Sequence, residues 1–224
     1  MHEKTCFLTL TYTDANLPPD GLRHRDIQLF LKRLRAKRGN QIRYYVCGEY
    51  GDNTQRPHYH MMLYGHDYRE DRRYHKKSAK GFDMYTSPEL DRQWQLGQAT
   101  IQEMTPETAA YTAGYILTDQ RKTPEGCNPP YGRMSTNPAI GKAWLEKYHR
   151  DLYPHDYAEL NGKRRPIPRY YKTQLADMPY DHVGIENRML DRLELHQGDN
   201  TPERLAVQEA VLTAKYVNKD RNKS

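Results

Sequence analysis

Long apolar runs are missing from this chain: nowhere do its 224 residues approach the roughly 20 consecutive apolar positions of a membrane helix. The first residues also lack the basic-then-apolar pattern of a secretory leader, so the expectation is a soluble protein with no membrane partner. Phenylalanine occurs 3 times and tryptophan twice, only 36% of residues are hydrophobic, and mean hydropathy is −1.07. The core must therefore be modest. Cysteine is limited to Cys6, Cys47 and Cys127, an odd number in no paired metal spacing, which fits a reducing compartment rather than a disulfide framework. No Walker-type glycine loop occurs, so any unwinding of a duplex is expected to come from another protein.

What is present leans toward a polyanion. Lys and Arg total 35 against 29 Asp and Glu, a net +6 with a pI near 9.1. Nineteen tyrosines supply amphipathic rings of the kind that stack on bases and sit at wet interfaces. The same composition also describes a polar protein whose core uses tyrosine.

Phe7 to Tyr12 is β-branched and aromatic and reads as a strand, ended by the turn residues of Asp14 to Gly21. From Arg23 to Arg38, Ile27, Phe30, Leu31 and Leu34 recur at helical spacing, and Gly39-Asn40 stops the helix. Ile42 to Cys47 and His58 to Tyr64 are predicted strands, and the charged stretch after Gly65, as far as Lys80, reads as an exposed loop. Ser87-Pro88-Glu89 starts a short helix through Trp94, and Gln98 to Met104 is another strand candidate. Thr105-Pro106-Glu107 has the Thr cap and first-turn Pro of a helix start. Pro124 to Pro138 is rich in turn formers, which places a boundary near Arg121. Beyond it the pattern predicts a helix at Lys142–Tyr148, a basic loop at Asn161–Lys172 and two polar helical segments. The fold class is α+β: an antiparallel sheet with flanking helices over residues 1–122, and a mostly helical C-terminal extension over 123–224.

Two motifs carry chemistry. In Pro57-His58-Tyr59-His60 the strand alternation puts His58 and His60 on one face and Tyr59 on the other. Cys47 and Glu49 share a face of the preceding strand, so antiparallel pairing would bring Glu49 to the histidines. Two imidazoles and a carboxylate suit Mg²⁺ or Mn²⁺ carrying a phosphate oxygen; Cys47 with the two histidines would suit zinc instead. Alone, His-x-His also fits two polar side chains on an exposed strand face. In Tyr111-Thr112-Ala113-Gly114-Tyr115 the two tyrosines are four apart and share a helix face, which serves a pair of nucleophiles or two aromatic packing contacts.

Taken in order, the strand Phe7–Tyr12, Cys47-Gly48-Glu49-Tyr50-Gly51 with Arg56-Pro57-His58-Tyr59-His60, and Ala110 to Tyr115 resemble the HUH endonucleases. Met134 to Gly141 and Pro168-Arg169-Tyr170-Tyr171 extend the resemblance to the replication initiators of gokushovirus-type microviruses, over roughly residues 3–190. The resemblance implies a ferredoxin- or RRM-like sheet and Glu49, His58 and His60 as ligands of Mg²⁺ or Mn²⁺. It also implies Tyr111 and Tyr115 as nucleophiles that nick single-stranded origin DNA through a 5′-phosphotyrosine. The implied partners are the phage origin and a host helicase and polymerase, in the bacterial host cytoplasm. The extension would add DNA contacts through Lys163, Arg164, Arg165, Arg169 and Tyr170.

Two departures stand out. Where that family carries a lysine three residues after the second tyrosine and often one just before it, this chain has Thr118 and Gly114; Lys122 or Arg121 is the nearby substitute. Upstream of the first strand the chain has fewer residues than the proteins it resembles. Lys215-Tyr216-Val217-Asn218-Lys219 imitates the tyrosine–lysine pattern far from its expected position. Plasmid- or transposon-type HUH nucleases are the nearest alternatives, and a degenerate, non-catalytic single-strand-binding module is the alternative from another class.

Overall fold

Strict alternation along the first strand decides what each side of the sheet becomes. In β1 (Thr5–Thr11) Cys6, Leu8 and Leu10 point to one side and Phe7, Thr9 and Thr11 to the other. In the computed structural model, which describes residues 2–79, 81–118, 123–152, 157–160, 162–175, 201–221 and single positions between 184 and 198, β1 lies inside a seven-stranded antiparallel sheet. Its other strands are β2 (Arg43–Tyr50), β3 (Pro57–Tyr64), β4 (Arg73–Lys77), β5 (Asp83–Thr86), β6 (Ala99–Gln102) and β7 (Tyr131–Met134), in the order β4-β5-β6-β1-β3-β2-β7.

One side of this sheet holds the core. Leu8 and Leu10 meet Val46, Tyr59, Met61, Leu63 and Ile101 there, all buried. Helix α1 (His24–Arg38) covers them with Ile27, Phe30, Leu31 and Leu34, the i, i+3, i+4, i+7 spacing that makes one apolar stripe. It ends at Gly39, whose φ of 91° favours glycine and whose N–H donates to the Arg35 carbonyl. Helix α2 (Pro88–Trp94) begins on Ser87, which accepts from the Leu90 N–H at 3.1 Å, and ends by burying Trp94. The Trp94 indole donates to the Thr11 carbonyl at 2.7 Å, tying α2 to the end of β1. A Cβ on Gly97 would overlap the Thr11 carbonyl, so the chain passes there only as glycine.

Two expectations change. The charged stretch up to Lys80 is not a loop: β4 pairs with β5, and the five exposed residues of β4 form a sheet edge. Charged side chains keep an edge strand soluble but erase the apolar alternation by which a strand is recognised. The strand β7 joins the outer edge of β2, Tyr45 opposite Met134, from beyond the helix α3 (Pro106–Thr118). The chain divides into compact units at Met1–Lys142 and Ala143–Ser224; the position near Arg121 lies outside the described residues.

In the second unit, α4 (Lys142–Leu152) buries Leu145 and Leu152 with Ile167, and Trp144 stacks on Tyr171 at 5.8 Å. The predicted basic loop at Asn161–Lys172 is here a strand and a helix. Strand β8 (Tyr157–Leu160) pairs with β9 (Lys163–Pro166), and α5 (Arg169–Leu175) follows. Cross-strand charge explains the pairing of so basic a strand: Glu159 faces Arg164, whose guanidinium lies 4.6 Å over the Tyr157 ring. A last helix, α6 (Pro202–Arg221), exposes Leu205, Val207, Val211 and Leu212.

Candidate metal centre

The side of the sheet away from α1 is where the polar residues of the same strands converge. In the β2–β3 ladder Glu49 stands opposite His58 and Cys47 opposite His60; in the β1–β3 ladder Thr9 stands opposite His60 and Thr11 opposite His58. The register thus puts one carboxylate and two imidazoles on neighbouring positions of one face. Glu49 Oε1 lies 2.8 Å from His58 Nε2 and 3.0 Å from His60 Nε2. These three residues are the group of potential metal ligands that the described residues contain, their ligand atoms all within 4.8 Å of one another.

Each ring is aimed by its other nitrogen. His58 Nδ1 lies 3.2 Å from the Arg56 carbonyl, and His60 Nδ1 lies 3.1 Å from the Thr9 hydroxyl. Such contacts on Nδ1 fix ring orientation and direct Nε2 toward a common point, as around metal-bound histidines. Phe7 stacks on His60, centroids 5.3 Å apart and planes 19° from parallel. Arg56 is itself pinned by the Tyr12 carbonyl at 2.9 Å and by Asp14. Thr9 and Arg56 went unnoticed in the sequence; for Thr9 the signal was available, since it shares β1's polar face with Thr11.

Glu49 is 3% exposed, and its second oxygen, Oε2, is buried with no hydrogen-bond partner. An unanswered buried carboxylate oxygen is costly. A divalent cation bound beside both Nε2 atoms would answer it, so the residues present fit such an ion. Burial pushes the Glu49 carboxyl up, but the hydrogen bonds and charges of His58 and His60 outweigh it and hold the group below its ordinary value. Burial likewise lowers His58, and there Glu49 wins, leaving it raised; at His60 burial wins and the ring is lowered. Burial pushes the Cys47 thiol up to about 12, and its sulfur is not among the converging atoms. The zinc alternative loses its thiolate.

Beside His60 lies a cavity of about 270 Å³. Its walls come from the sheet face (Phe7, Gln102), from the β4–β5 hairpin (Ala79, Phe82) and from the first turn of α3 (Glu107, Thr108). That turn is capped reciprocally: the Thr108 N–H donates to the Thr105 hydroxyl at 3.2 Å and the Thr105 N–H to the Thr108 hydroxyl at 2.9 Å. Helix α3 runs on against β2 and β3.

The sequence-predicted residues are thus distributed as follows. Glu49, His58 and His60 come together. Positions 111 and 115 are both in α3, on the arc between Glu107 and Thr112; their side chains, and all of Arg121 and Lys122, lie outside the described residues. Lys163, Arg164 and Arg165 are exposed on β9, and Arg169 and Tyr170 open α5, all in the second unit. Tyr216 falls within α6, its side chain outside the described residues.

Comparison with known proteins bears on this arrangement. A family model for replication-associated proteins of the ORF2 type matches residues 5–120. The replication-associated protein VP4 of Bdellovibrio phage phiMH2K is 37% identical over 187 residues, 77% of this chain and 58% of that protein. The replication-associated protein ORF4 of Chlamydia phage 1 is 29% identical over 79% of this chain and 47% of its own length. The replication-associated protein ORF2 of Spiroplasma virus 4 is 36% identical over 75% and 57%. The chain thus spans about half to three-fifths of the length of these relatives. No solved structure matches it.

Proposed function

Because the chain belongs to the ORF2-type family of replication-associated proteins, we propose that it is a metal-dependent endonuclease that nicks single-stranded DNA at a phage replication origin. The observation that carries this reading is the Glu49 carboxylate shared by two imidazoles, one oxygen still unanswered, beside a cavity walled by the start of α3.

Glu49, His58 and His60 hold the ion, and the mixed nitrogen–oxygen set suits Mn²⁺ or Mg²⁺. Once bound, the ion polarises the scissile phosphate and offsets charge that builds up on it. Tyr111 or Tyr115 then attacks the phosphorus through its phenolic oxygen. A tyrosine O–P bond forms, the bond from phosphorus to the 3′ oxygen breaks, and the phenol's proton is lost as the leaving oxygen gains one. The products are a 5′-phosphotyrosine and a free 3′-hydroxyl able to prime rolling-circle synthesis. Attack by the second tyrosine on a later copy of the origin would release and close the displaced strand. Thr9 and the Arg56 carbonyl keep the two rings aimed, while Lys163, Arg164, Arg165, Arg169 and Tyr170 of the second unit hold more of the strand, and Lys122 balances charge near the tyrosines. A host helicase and polymerase complete the process in the bacterial cytoplasm.

The test uses single-stranded origin oligonucleotides labelled at either end, with Mn²⁺ or with EDTA, run on a denaturing protein gel. The expected result is a metal-dependent protein band carrying only the label 3′ of the cut, lost when Tyr111 and Tyr115 are both changed to Phe. Cleavage without a protein adduct would replace this reading with a hydrolytic metal nuclease. Binding without cleavage on a verified origin would replace it with the non-catalytic module.

A further inference from the structure

We propose that the cavity beside His60 is a pocket for a single unpaired nucleobase that bears an amino group, with Phe82 and Gln102 as the residues that grip and select it. The proposal rests on the nuclease reading above and deepens it by naming what part of the DNA is read next to the metal centre.

Three elements that are distant in sequence close around this space: the open sheet face, the tip of a hairpin and a helix start. At about 270 Å³ it is slightly below the roughly 300–1,000 Å³ of sites for drug-sized molecules. That is room for one flat ring system, not for a run of nucleotides or a folded peptide. Its apolar walls are rings. Phe7 lies nearly parallel on His60, and Phe82 stands across the cavity at the hairpin tip, 42% exposed. In a chain with only 3 phenylalanines, two line this one space. An exposed ring facing a slot is the usual platform for a base, since every base offers a π face.

Selection comes from the polar groups on the same walls. The Gln102 side-chain amide makes no hydrogen bond to another described residue, and it offers both a donor and an acceptor, the pair that reads an adenine edge. The Glu107 carboxylate at the helix start is an acceptor only. It favours a base with an exocyclic amino group and disfavours thymine, whose edge carbonyls it would repel. Outside the slot, Arg73 and Lys76 on the exposed strand β4 can follow the backbone of the strand that delivers the base.

The experiment is an anisotropy titration of the full chain in EDTA, where no cut occurs. The probes are an oligothymidylate and versions of it with one internal adenine, one internal cytosine or one abasic site. We expect the adenine and cytosine versions to bind about tenfold tighter than the all-thymine strand, and Phe82→Ala or Gln102→Leu to erase that preference while affinity for oligothymidylate stays. Phe82 is exposed, so its truncation leaves the fold intact. With 2-aminopurine as the internal base, fluorescence should be quenched on binding to the unmodified chain and restored in Phe82→Ala. Equal binding of all four strands, or equal weakening of all four by the substitutions, would overturn the pocket. Loss of the covalent product with the preference intact would sink the nuclease reading and leave the pocket standing.

Discussion

The chain buries two glutamates on opposite sides of its sheet, and their surroundings are unlike. Glu89, on α2, is met by Arg38 at 2.9 Å, by Lys37 at 3.1 Å and by the Gln93 amide at 3.0 Å. Arg38 beside it holds its carboxyl down at about 2. Glu49 meets only two imidazoles and keeps one oxygen unanswered. A carboxylate that serves the fold has its charge matched by fixed cations, whereas one that serves a ligand keeps capacity in reserve. Burial alone would not have told the two apart, for Glu49 is 3% and Glu89 5% exposed.

The largest effects should come from breaking that contrast at Glu49. Glu49→Gln is expected to abolish Mn²⁺ binding by calorimetry and the covalent DNA product with it, while the melting temperature in EDTA stays the same or rises. A large loss of stability in EDTA would mean that Glu49 is structural after all. On β1 the contrast runs between neighbours. Leu10→Ala should cost about 2–5 kcal/mol in urea unfolding, whereas Thr11→Ala, on the polar face next to it, should change stability by roughly 0.5 kcal/mol or less.

Glu89→Gln comes next, at about 1–3 kcal/mol for a charge-assisted buried network left incomplete. Its pH signature follows from the direction of the shift. A carboxyl held below its unfolded value stabilises the fold above that value, near 4.5, and stops doing so as pH falls through about 2. The unmodified chain should therefore lose stability between these limits and Glu89→Gln should lose less; parallel acid-unfolding curves would refute the pairing. The smallest effect expected is from Thr9→Val, which keeps the shape of the strand but removes the hydroxyl at His60 Nδ1. Mn²⁺ should bind about tenfold more weakly, with little change in melting temperature.

Much of this was legible from local pattern. Period-2 alternation assigned Tyr59 to packing and His58 and His60 to the opposite face, and the i, i+3, i+4, i+7 spacing found the buried stripe of α1. The Glu49–His58 register needed only that two adjacent strands pair. The β4–β5 hairpin was not legible, because a strand exposed along its length has no apolar face to announce it. Strands β7 and β9 were hidden for a different reason: Tyr-Gly-Arg-Met and Lys-Arg-Arg-Pro become strands through partners elsewhere in the chain, not through their own preference. The cavity beside His60 was out of reach for the same cause, since its walls come from residues 7, 60, 82, 102 and 107.

The pairing of β7 with β2 also sets an order of events during synthesis. Cα partners such as Tyr45 and Met134 are separated by most of the first unit, and Leu10 must wait for Ala99. On the ribosome, β1, β2, β3 and α1 can assemble as a four-element nucleus while both flanks of that small sheet remain bare. Pairings of such long range are slow to close, and unpaired flanks invite other chains. Crowded translation should therefore be the most dangerous moment for this protein, and residues 99–134 are the segment whose arrival ends it.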